Sequence, residues 1–143
     1  MEFNSNSYEE TLEFAKNFAA DLEDGAALCL YGELGAGKTA FVQGLAKGFG
    51  VTEYITSPTF TVVNVYESGH KTLYHFDMYR LEDSSEAYEI GYEEYVYGSG
   101  ISVIEWPERI DDILPDKRYN VVIEKDINKG ESYRKITVEK VEK

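Results

Sequence analysis

The first third of the chain combines one helical and one strand-like hydrophobic pattern. In the helical pattern, apolar positions recur every three or four residues, at Leu12, Ala15, Phe18, Ala19 and Leu22. This spacing predicts an amphipathic helix that ends at about Asp21, with Ser7 as its N-cap and Glu10 completing a capping box. After a turn at Gly25, residues 26–31 are all apolar. That run predicts a short strand buried on both faces.

A glycine-rich loop connects this strand to a second predicted helix. The sequence GELGAGKT, Gly32–Thr39, fits the pattern G-x-x-x-x-G-K-[ST] of phosphate-binding loops. The residues that follow predict a helix from about Lys38 to Lys47, which ends near Gly48. Strand, loop and helix therefore occur in the order that the motif requires, and a chance match would lack that order.

The middle of the chain predicts a hairpin, a broken helix and another buried strand. Phe60–Tyr66 and Thr72–Asp77 are strand-like and are joined by a glycine-containing turn, which is typical of a β-hairpin. Ser84–Tyr97 is predicted to be helical, with a break near Gly91. Ile101–Glu105 is a short apolar run and predicts a central strand.

Two late strand-like runs complete the pattern. Val121–Glu124 and Lys135–Val138 are predicted to pair as a second hairpin at the edge of the sheet. Antiparallel hairpins beside a parallel strand–loop–helix unit make the predicted sheet mixed. There is no internal repeat and no sign of a second domain. The predicted fold class is therefore α/β, with a mixed β-sheet flanked by helices in a single compact domain over residues 1–143.

The acidic composition restricts which ligands this surface can attract. The 143 residues include 27 acids and 14 bases, which gives a formal net charge of −13. Such a surface repels polyanions, so direct tight binding to tRNA or DNA is not expected, whereas a basic partner protein is compatible with it. The single cysteine, Cys29, lies in the strand predicted over residues 26–31 and is expected to be a small core residue.

The expected location of the protein is the cytoplasm. Its N-terminal sequence, MEFNSNSYEE, lacks the basic and apolar regions of a signal peptide. No apolar run approaches the roughly 20 residues that span a bilayer, so no membrane association is expected. A single cysteine also suits a reducing compartment, because no intramolecular disulfide can form.

The glycine-rich loop has the chemistry to hold phosphate groups. Its glycines allow backbone angles that side chains would forbid, and they leave room for phosphate oxygens. Backbone N–H groups around Leu34–Thr39 are expected to point into the loop, where the following helix adds its positive end. Lys38 is expected to reach the β- and γ-phosphates, and the Thr39 hydroxyl is expected to bind Mg²⁺.

Hydrolysis or transfer of a phosphoryl group also needs an acid at the end of a neighbouring strand. Asp77 and Glu105 each end a predicted strand. One carboxylate can hold the metal, directly or through water, while the other positions a water or senses the γ-phosphate. The residue types alone do not decide which acid has which role.

Two other polar residues, one histidine and one arginine, lie close to these acids in sequence. His75 alternates with Tyr74 and Phe76, and this pattern favours a satisfied packing residue over a catalytic one. Arg80 follows Asp77 by three residues and either pairs with that carboxylate or is a surface charge.

Four motifs follow one another along the chain: GELGAGKT, then TSPTF at Thr56–Phe60, LYHFDMYR at Leu73–Arg80 and IEWPE at Ile104–Glu108. Together, in this order and spacing, they resemble those of the TsaE family, also called YjeE, the bacterial ATPases of tRNA threonylcarbamoyladenosine biosynthesis. The resemblance extends from the Ser7 region to about Leu114. It implies a compact P-loop NTPase-like fold with a mixed sheet.

The resemblance also implies cofactors, site residues and partners. It implies that ATP or ADP is bound by Leu34, Gly35, Ala36, Gly37, Lys38 and Thr39. Mg²⁺ would be held by Thr39 and Glu105, and Asp77 would be needed for hydrolysis. Residues 57–59 would form a switch-like element near the γ-phosphate, Trp106 would lie beside the metal, and Ser7 would approach the nucleotide base. The implied partners are TsaD and TsaB, which hold the tRNA.

A phosphate-binding loop is also compatible with three other classes of protein, and each can be distinguished from an ATPase. A small-molecule kinase usually needs a basic lid, but the four arginines are scattered: Arg80, Arg109, Arg118 and Arg134. A GTPase needs the guanine-specific motif N/T-K-x-D, and residues 128–131 do not supply its aspartate. A nucleotide-dependent assembly factor with incidental hydrolysis would have the same loop, so only a variant that binds ATP without hydrolysing it separates that alternative.

Overall fold

A computed structural model describes residues 1–33 and 35–142. Seven strands form one sheet in the order β1-β7-β6-β2-β5-β4-β3. The strands are β1 Glu2–Ser5, β2 Ala27–Tyr31, β3 Val63–Tyr66, β4 Leu73–Asp77, β5 Ile101–Glu105, β6 Arg118–Lys125 and β7 Arg134–Val141. The helices are α1 Tyr8–Ala19, α2 Lys38–Gly48, α3 Ser84–Glu89 and α4 Tyr92–Val96, with 3-10 turns at Pro107–Ile113 and Ile127–Lys129.

The centre of the sheet is parallel and its two sides are antiparallel, so the predicted mixed sheet is confirmed. β2 pairs in parallel with β5 and β6, and β5 pairs in parallel with β4. Both predicted hairpins form, because β3 pairs with β4 and β6 pairs with β7 in antiparallel register. The carboxyl ends of β2, β4 and β5 therefore meet at one edge, where ligands of open α/β sheets bind.

Helices α1 and α2 cover one face of the sheet and pack closely on each other. A Cβ atom at Gly44 would lie 2.4 Å from the carbonyl oxygen of Leu12, and one at Gly48 would lie 2.7 Å from that of Lys16. Glycine at these two positions of α2 therefore lets the backbones of the helices approach. The phenyl ring of Phe41 is fully buried in the core between these helices and the sheet.

The opposite face is covered by α3, α4 and the 3-10 turn at Pro107–Ile113. The predicted helix over Ser84–Tyr97 is indeed broken at Gly91, whose φ of +85° suits glycine. Cys29 is completely buried in this second core, as its sequence context predicts. Burial raises the pKa of its thiol to about 12, which suppresses the reactive thiolate.

The N-terminal edge differs from the prediction. The hairpin of β6 and β7 was expected at the sheet edge, but β6 lies against the central β2 and the edge strand is β1. The segment Glu2–Ser5 has only one apolar side chain, Phe3, so its sequence carries no strand signal. Antiparallel pairing with β7 and stacking of Phe3 on Phe14, with ring centroids 4.6 Å apart, hold it in place.

The strand that follows the threonine-rich loop is shorter than predicted. It begins at Val63, whereas the sequence pattern started it at Phe60. Val62 has φ of +68°, a left-handed conformation that is strained for a β-branched residue and stops the strand. Its amide N–H donates to the carbonyl of Pro58 at 2.7 Å, which closes a turn.

Candidate functional site

A cleft of about 550 Å³ opens at the carboxyl ends of β4 and β5, beside the N-terminus of α2. Its lining includes Gly35, Gly37, Lys38, Thr39, Ser57, Thr59, Asp77, Glu105 and Trp106. The four sequence motifs therefore meet in one place. Of the predicted loop residues, Leu34 lies outside the described residues.

The glycine-rich loop leaves the first turn of α2 open toward the cleft. Gly35 and Gly37 have φ of +80° and +103°, so both need the freedom of glycine. Gly37 is the N-cap of α2 and no side chain accepts a hydrogen bond there. The first N–H groups of the helix are consequently available to an anion, and the helix dipole favours one. Ala36, between these two glycines, is buried.

Lys38 carries a buried ammonium group that has no counter-ion within the described part of the chain. The residue is 6% exposed, and its Nζ has no hydrogen-bond partner among residues 1–33 and 35–142. The nearest compensation is the ring of Trp106, whose centroid lies 4.3 Å away. Because an unpaired charge is costly to bury, this position is suited to an anionic ligand such as a phosphate.

Two carboxylates stand side by side on adjacent parallel strands. Asp77 ends β4 and Glu105 ends β5, the two are register partners, and they are 6% and 7% exposed. Asp77 Oδ1 accepts a hydrogen bond from the backbone N–H of Tyr79 at 3.0 Å, and Oδ2 accepts one from the Thr59 hydroxyl at 3.2 Å. These two donors fix the orientation of the carboxylate.

Glu105 is held by a residue that the sequence pattern assigned to packing. His75 is 2% exposed, as expected, but its Nε2 lies 2.5 Å from Glu105 Oε2. Its other ring nitrogen, Nδ1, is buried and has no partner in the described part of the chain. The prediction that His75 is a satisfied packing residue is therefore wrong. One ring nitrogen contacts a carboxylate of the cleft, and the other has no hydrogen-bond partner among the described residues.

The oxygen atoms around the cleft could hold a hard cation only with help from a ligand. Thr39 is exposed on the cleft wall and offers a hydroxyl, and Glu105 offers a carboxylate. Within the described ranges, no three His, Cys, Asp or Glu side chains cluster as a metal site. Oxygen donors in this small number fit Mg²⁺, which is usually held by one or two protein groups together with phosphates and water.

The threonine-rich loop approaches Asp77 from above the cleft. The hydroxyls of Ser57 and Thr59 are 2.7 Å apart, and Thr59 also contacts Asp77. The loop ends at the strained Val62, whose carbonyl accepts a hydrogen bond from the backbone N–H of Asp77 at 2.8 Å. The position of this loop and the position of the acid are thus coupled through two contacts.

Ser7, the predicted contact residue for the nucleotide base, is not part of the cleft lining and caps helix α1. Its hydroxyl accepts a hydrogen bond from the backbone N–H of Glu10 at 3.1 Å, which confirms it as the N-cap of α1. The neighbouring Tyr8 lines the cleft and donates a hydrogen bond to the Gln43 side chain. A role for Ser7 toward a nucleotide base stays a prediction.

One further residue of the site has no signal in the local sequence, and another lies within the LYHFDMYR motif without a predicted role. Arg134, on β7, donates from Nε to the carbonyl of Ala36 at 2.8 Å and so braces the glycine-rich loop. Tyr79 packs on Trp106 with ring centroids 4.9 Å apart. Only the strand order brings Arg134 to the loop. Arg80, which was left open as a partner of Asp77, instead lies over the Phe60 ring at 5.3 Å.

Fold and cleft together define the class: an α/β protein with a P-loop NTPase-like sheet, a glycine-rich loop ahead of α2 and two acids at neighbouring strand ends. Comparison with known proteins narrows this class. The family model described as threonylcarbamoyl adenosine biosynthesis protein TsaE matches residues 5–136. The chain belongs to the TsaE family.

Similar proteins agree with this assignment in sequence and in structure. The TsaE protein of Bacillus subtilis is 44% identical over 129 residues, covering 90% of this chain and 78% of that protein. The TsaE protein of Treponema pallidum is 48% identical over 119 residues, covering 83% and 86%. The crystal structure of Bacillus subtilis YdiB superimposes with a TM-score of 0.84 at 36% identity, covering 99% of this chain and 85% of that one.

None of the helices in the described part of the chain is both long and apolar enough to cross a membrane.

Proposed function

We propose that this protein binds ATP together with Mg²⁺ and hydrolyses ATP in the biosynthesis of tRNA threonylcarbamoyladenosine. The pathway is that of the TsaE family, to which the chain belongs. The observation that carries the ATP proposal is the buried ammonium of Lys38, which has no partner among the described residues, at the N-terminus of α2. That pairing of a fixed cation with free helix N–H groups has the chemistry of a phosphate site.

Different groups in the cleft are proposed to bind the phosphates, the metal ion and the base. Backbone N–H groups of the loop, from Gly35 to Thr39, bind phosphate oxygens, and Lys38 neutralises their charge. The Thr39 hydroxyl and the Glu105 carboxylate hold Mg²⁺, which when bound supplies further charge neutralisation on the phosphates. Ser7 is proposed to lie near the base, with the nucleotide extending from there to the acids.

Asp77 is proposed as the acid required for hydrolysis. Its carboxylate is held by Thr59 and by the backbone N–H of Tyr79, so it is oriented before any ligand arrives. An oriented carboxylate can accept a hydrogen bond from a water and align it for attack. The contact with Thr59 gives the threonine-rich loop a way to respond to the γ-phosphate.

Partner proteins are proposed from the family and from the charge. The proposed partners are TsaD and TsaB, with which ATP hydrolysis supports repeated turnover of tRNA modification in the cytoplasm. The net charge of −13 supports this division, because a protein with this charge is unsuited to gripping tRNA by itself. Hydrolysis by the isolated protein is expected to be slow and to depend on the partners.

The experiment measures ATP hydrolysis by the purified protein with and without a TsaD–TsaB pair. The matched variants are Lys38→Ala and Lys47→Ala, because Lys47 is an exposed lysine of the same helix. Activity should be lost in Lys38→Ala and retained in Lys47→Ala. Equal turnover by Lys38→Ala and the unmodified protein would refute the phosphate-site assignment.

A further inference from the structure

The imidazole of His75 lies directly behind the Glu105 carboxylate. Nε2 of His75 and Oε2 of Glu105 are 2.5 Å apart, and the two side chains come from neighbouring strands, β4 and β5. Both residues are more than nine-tenths buried. Glu105 also contributes to the lining of the cleft, whereas His75 does not. The imidazole therefore contacts the site only through the carboxylate.

Metal binding by Glu105 would set the direction of this hydrogen bond. A carboxylate that ligates Mg²⁺ is ionised and can only accept, so Nε2 of His75 then carries the hydrogen and donates it to Oε2. With one oxygen occupied, the Glu105 side chain is held in a single orientation and Oε1 is left for a ligand in the cleft. A glutamate without this contact has three side-chain torsions whose freedom would have to be lost when a ligand binds.

Packing alone does not account for a histidine at this position. The neighbouring residues on the same face of β4 and β5 are the buried, apolar Leu73, Ile101 and Val103. His75 Nδ1 is buried there without a partner among the described residues, which costs free energy that an apolar side chain would avoid. His75 carries this cost, and its hydrogen bond goes to the Glu105 carboxylate in the cleft. The combination indicates that His75 has a role in the site.

We propose that His75 is a positioning residue that orients Glu105 to hold Mg²⁺ with the bound nucleotide. This inference rests on the proposed function, because it assumes that Glu105 is a metal ligand. His75 itself contacts neither nucleotide nor metal. Its effect should appear in metal-dependent binding and not in the affinity for nucleotide without metal.

The test uses calorimetric titration of ADP at graded Mg²⁺ concentrations, which gives an apparent Mg²⁺ affinity without any turnover. His75→Leu has similar size and no donor, and it should weaken that affinity about tenfold, the lower end of the range for loss of a supporting contact. Binding of ADP in chelator should change less than about twofold. His75→Gln, whose Nε2 can donate over a comparable distance, should recover most of the affinity.

Leu73→Val is the matched packing control. Leu73 is buried on the same strand and the same face, two residues away, and is not part of the cleft lining. This variant should lower the melting temperature and leave the Mg²⁺ affinity unchanged. The inference alone is overturned if His75→Leu binds Mg²⁺ and ADP as the unmodified protein does, or if His75→Gln is as impaired as His75→Leu. If the unmodified protein fails to bind ADP with or without Mg²⁺, the proposed function fails and the inference fails with it.

Discussion

The Nζ atom of Lys38 lies 4.3 Å from the centroid of the Trp106 ring. Among the described residues, the ammonium has no hydrogen-bond partner, so the indole ring is a contact that it does make. A cation over an aromatic face is stabilised by about 0.5–2 kcal/mol, depending on how far it is desolvated. A phosphate is a stronger partner for the ammonium, so ligand binding should weaken or remove this contact. Trp106 follows Glu105 directly and has φ of +56°, a strained conformation that turns the chain beside the site.

The first prediction uses this contact as a spectroscopic signal. Trp106 is the single tryptophan, so its emission reports on one place in the protein. ATP or ADP with Mg²⁺ should change the intensity of that emission as the ammonium moves to the phosphates. The measurement is a fluorescence titration with selective excitation of tryptophan, since 12 tyrosines would otherwise add background.

Lys38→Ala is the control for that titration. It removes the cation, so its emission should already differ without ligand and should not respond to the nucleotide. An unchanged spectrum of the unmodified protein at saturating nucleotide, with binding established by calorimetry, would separate Trp106 from the nucleotide site.

A second prediction separates the two acids. Glu105→Ala should lower the apparent Mg²⁺ affinity by at least the roughly tenfold that losing a supporting contact costs. Asp77→Asn should retain ATP binding, because it keeps the size and one acceptor oxygen, but turnover should fall about a hundredfold or more. The measurements are Mg²⁺ titration by calorimetry and single-turnover hydrolysis.

Glu108→Ala is the control for these variants, because Glu108 is an exposed carboxylate three residues after Glu105. Glu108→Ala should change neither the apparent Mg²⁺ affinity nor the rate of single-turnover hydrolysis. If Asp77→Asn lost metal affinity while Glu105→Ala kept it, the two roles would have to be exchanged.

The third prediction concerns the packing of α1 on α2. Gly44→Ala places a Cβ atom 2.4 Å from the carbonyl oxygen of Leu12, so the helices must separate. Overpacking of this kind typically lowers the free energy of unfolding by about 1–3 kcal/mol. Urea unfolding followed by circular dichroism measures the loss. Lys47→Ala, at an exposed position of the same helix, should stay within about 0.5 kcal/mol.

Local sequence predicted the parts of the fold that depend on local interactions. The period of α1 and the cap at Ser7 are confirmed, because a helix and its cap are built from residues three or four apart. The glycine-rich loop was also predictable from local sequence, because its motif is the contiguous run Gly32–Thr39. β1 was not, since four mostly polar residues form a strand only by pairing with β7 near the other end of the chain.

The residues that shape the site from a distance were the ones that sequence reasoning missed. The contact between His75 and Glu105 joins residues 30 positions apart, and the contact between Arg134 and Ala36 joins residues 98 positions apart. His75 and Glu105 each lie in a motif, but neither contact has a periodic signature, because both depend on which strands become neighbours. Asp77 and Glu105 were recognisable because each ends an apolar run, and the parallel register of β4 and β5 then brings them together.

The last prediction concerns the role of hydrolysis in tRNA modification. A mixture of TsaD, TsaB, tRNA and threonylcarbamoyl-adenylate should make little product without this protein and should complete many cycles with it. No described group of this chain is suited to carrying the adenylate, and its charge of −13 opposes tRNA binding, so its contribution should be to repeated turnover and not to the transfer itself.

Asp77→Asn is the decisive variant in that mixture, because it should bind ATP and the TsaD–TsaB pair but not complete repeated cycles. Product per TsaD molecule should then level off near one, compared with continued accumulation for the unmodified protein and for Glu108→Ala. If Asp77→Asn supports as many cycles as the unmodified protein while its own hydrolysis is absent, ATP binding alone suffices. The protein would then be a nucleotide-dependent assembly factor. Tight binding of tRNA by the purified protein at physiological salt would contradict the proposed division of labour, because electrostatic repulsion should prevent it.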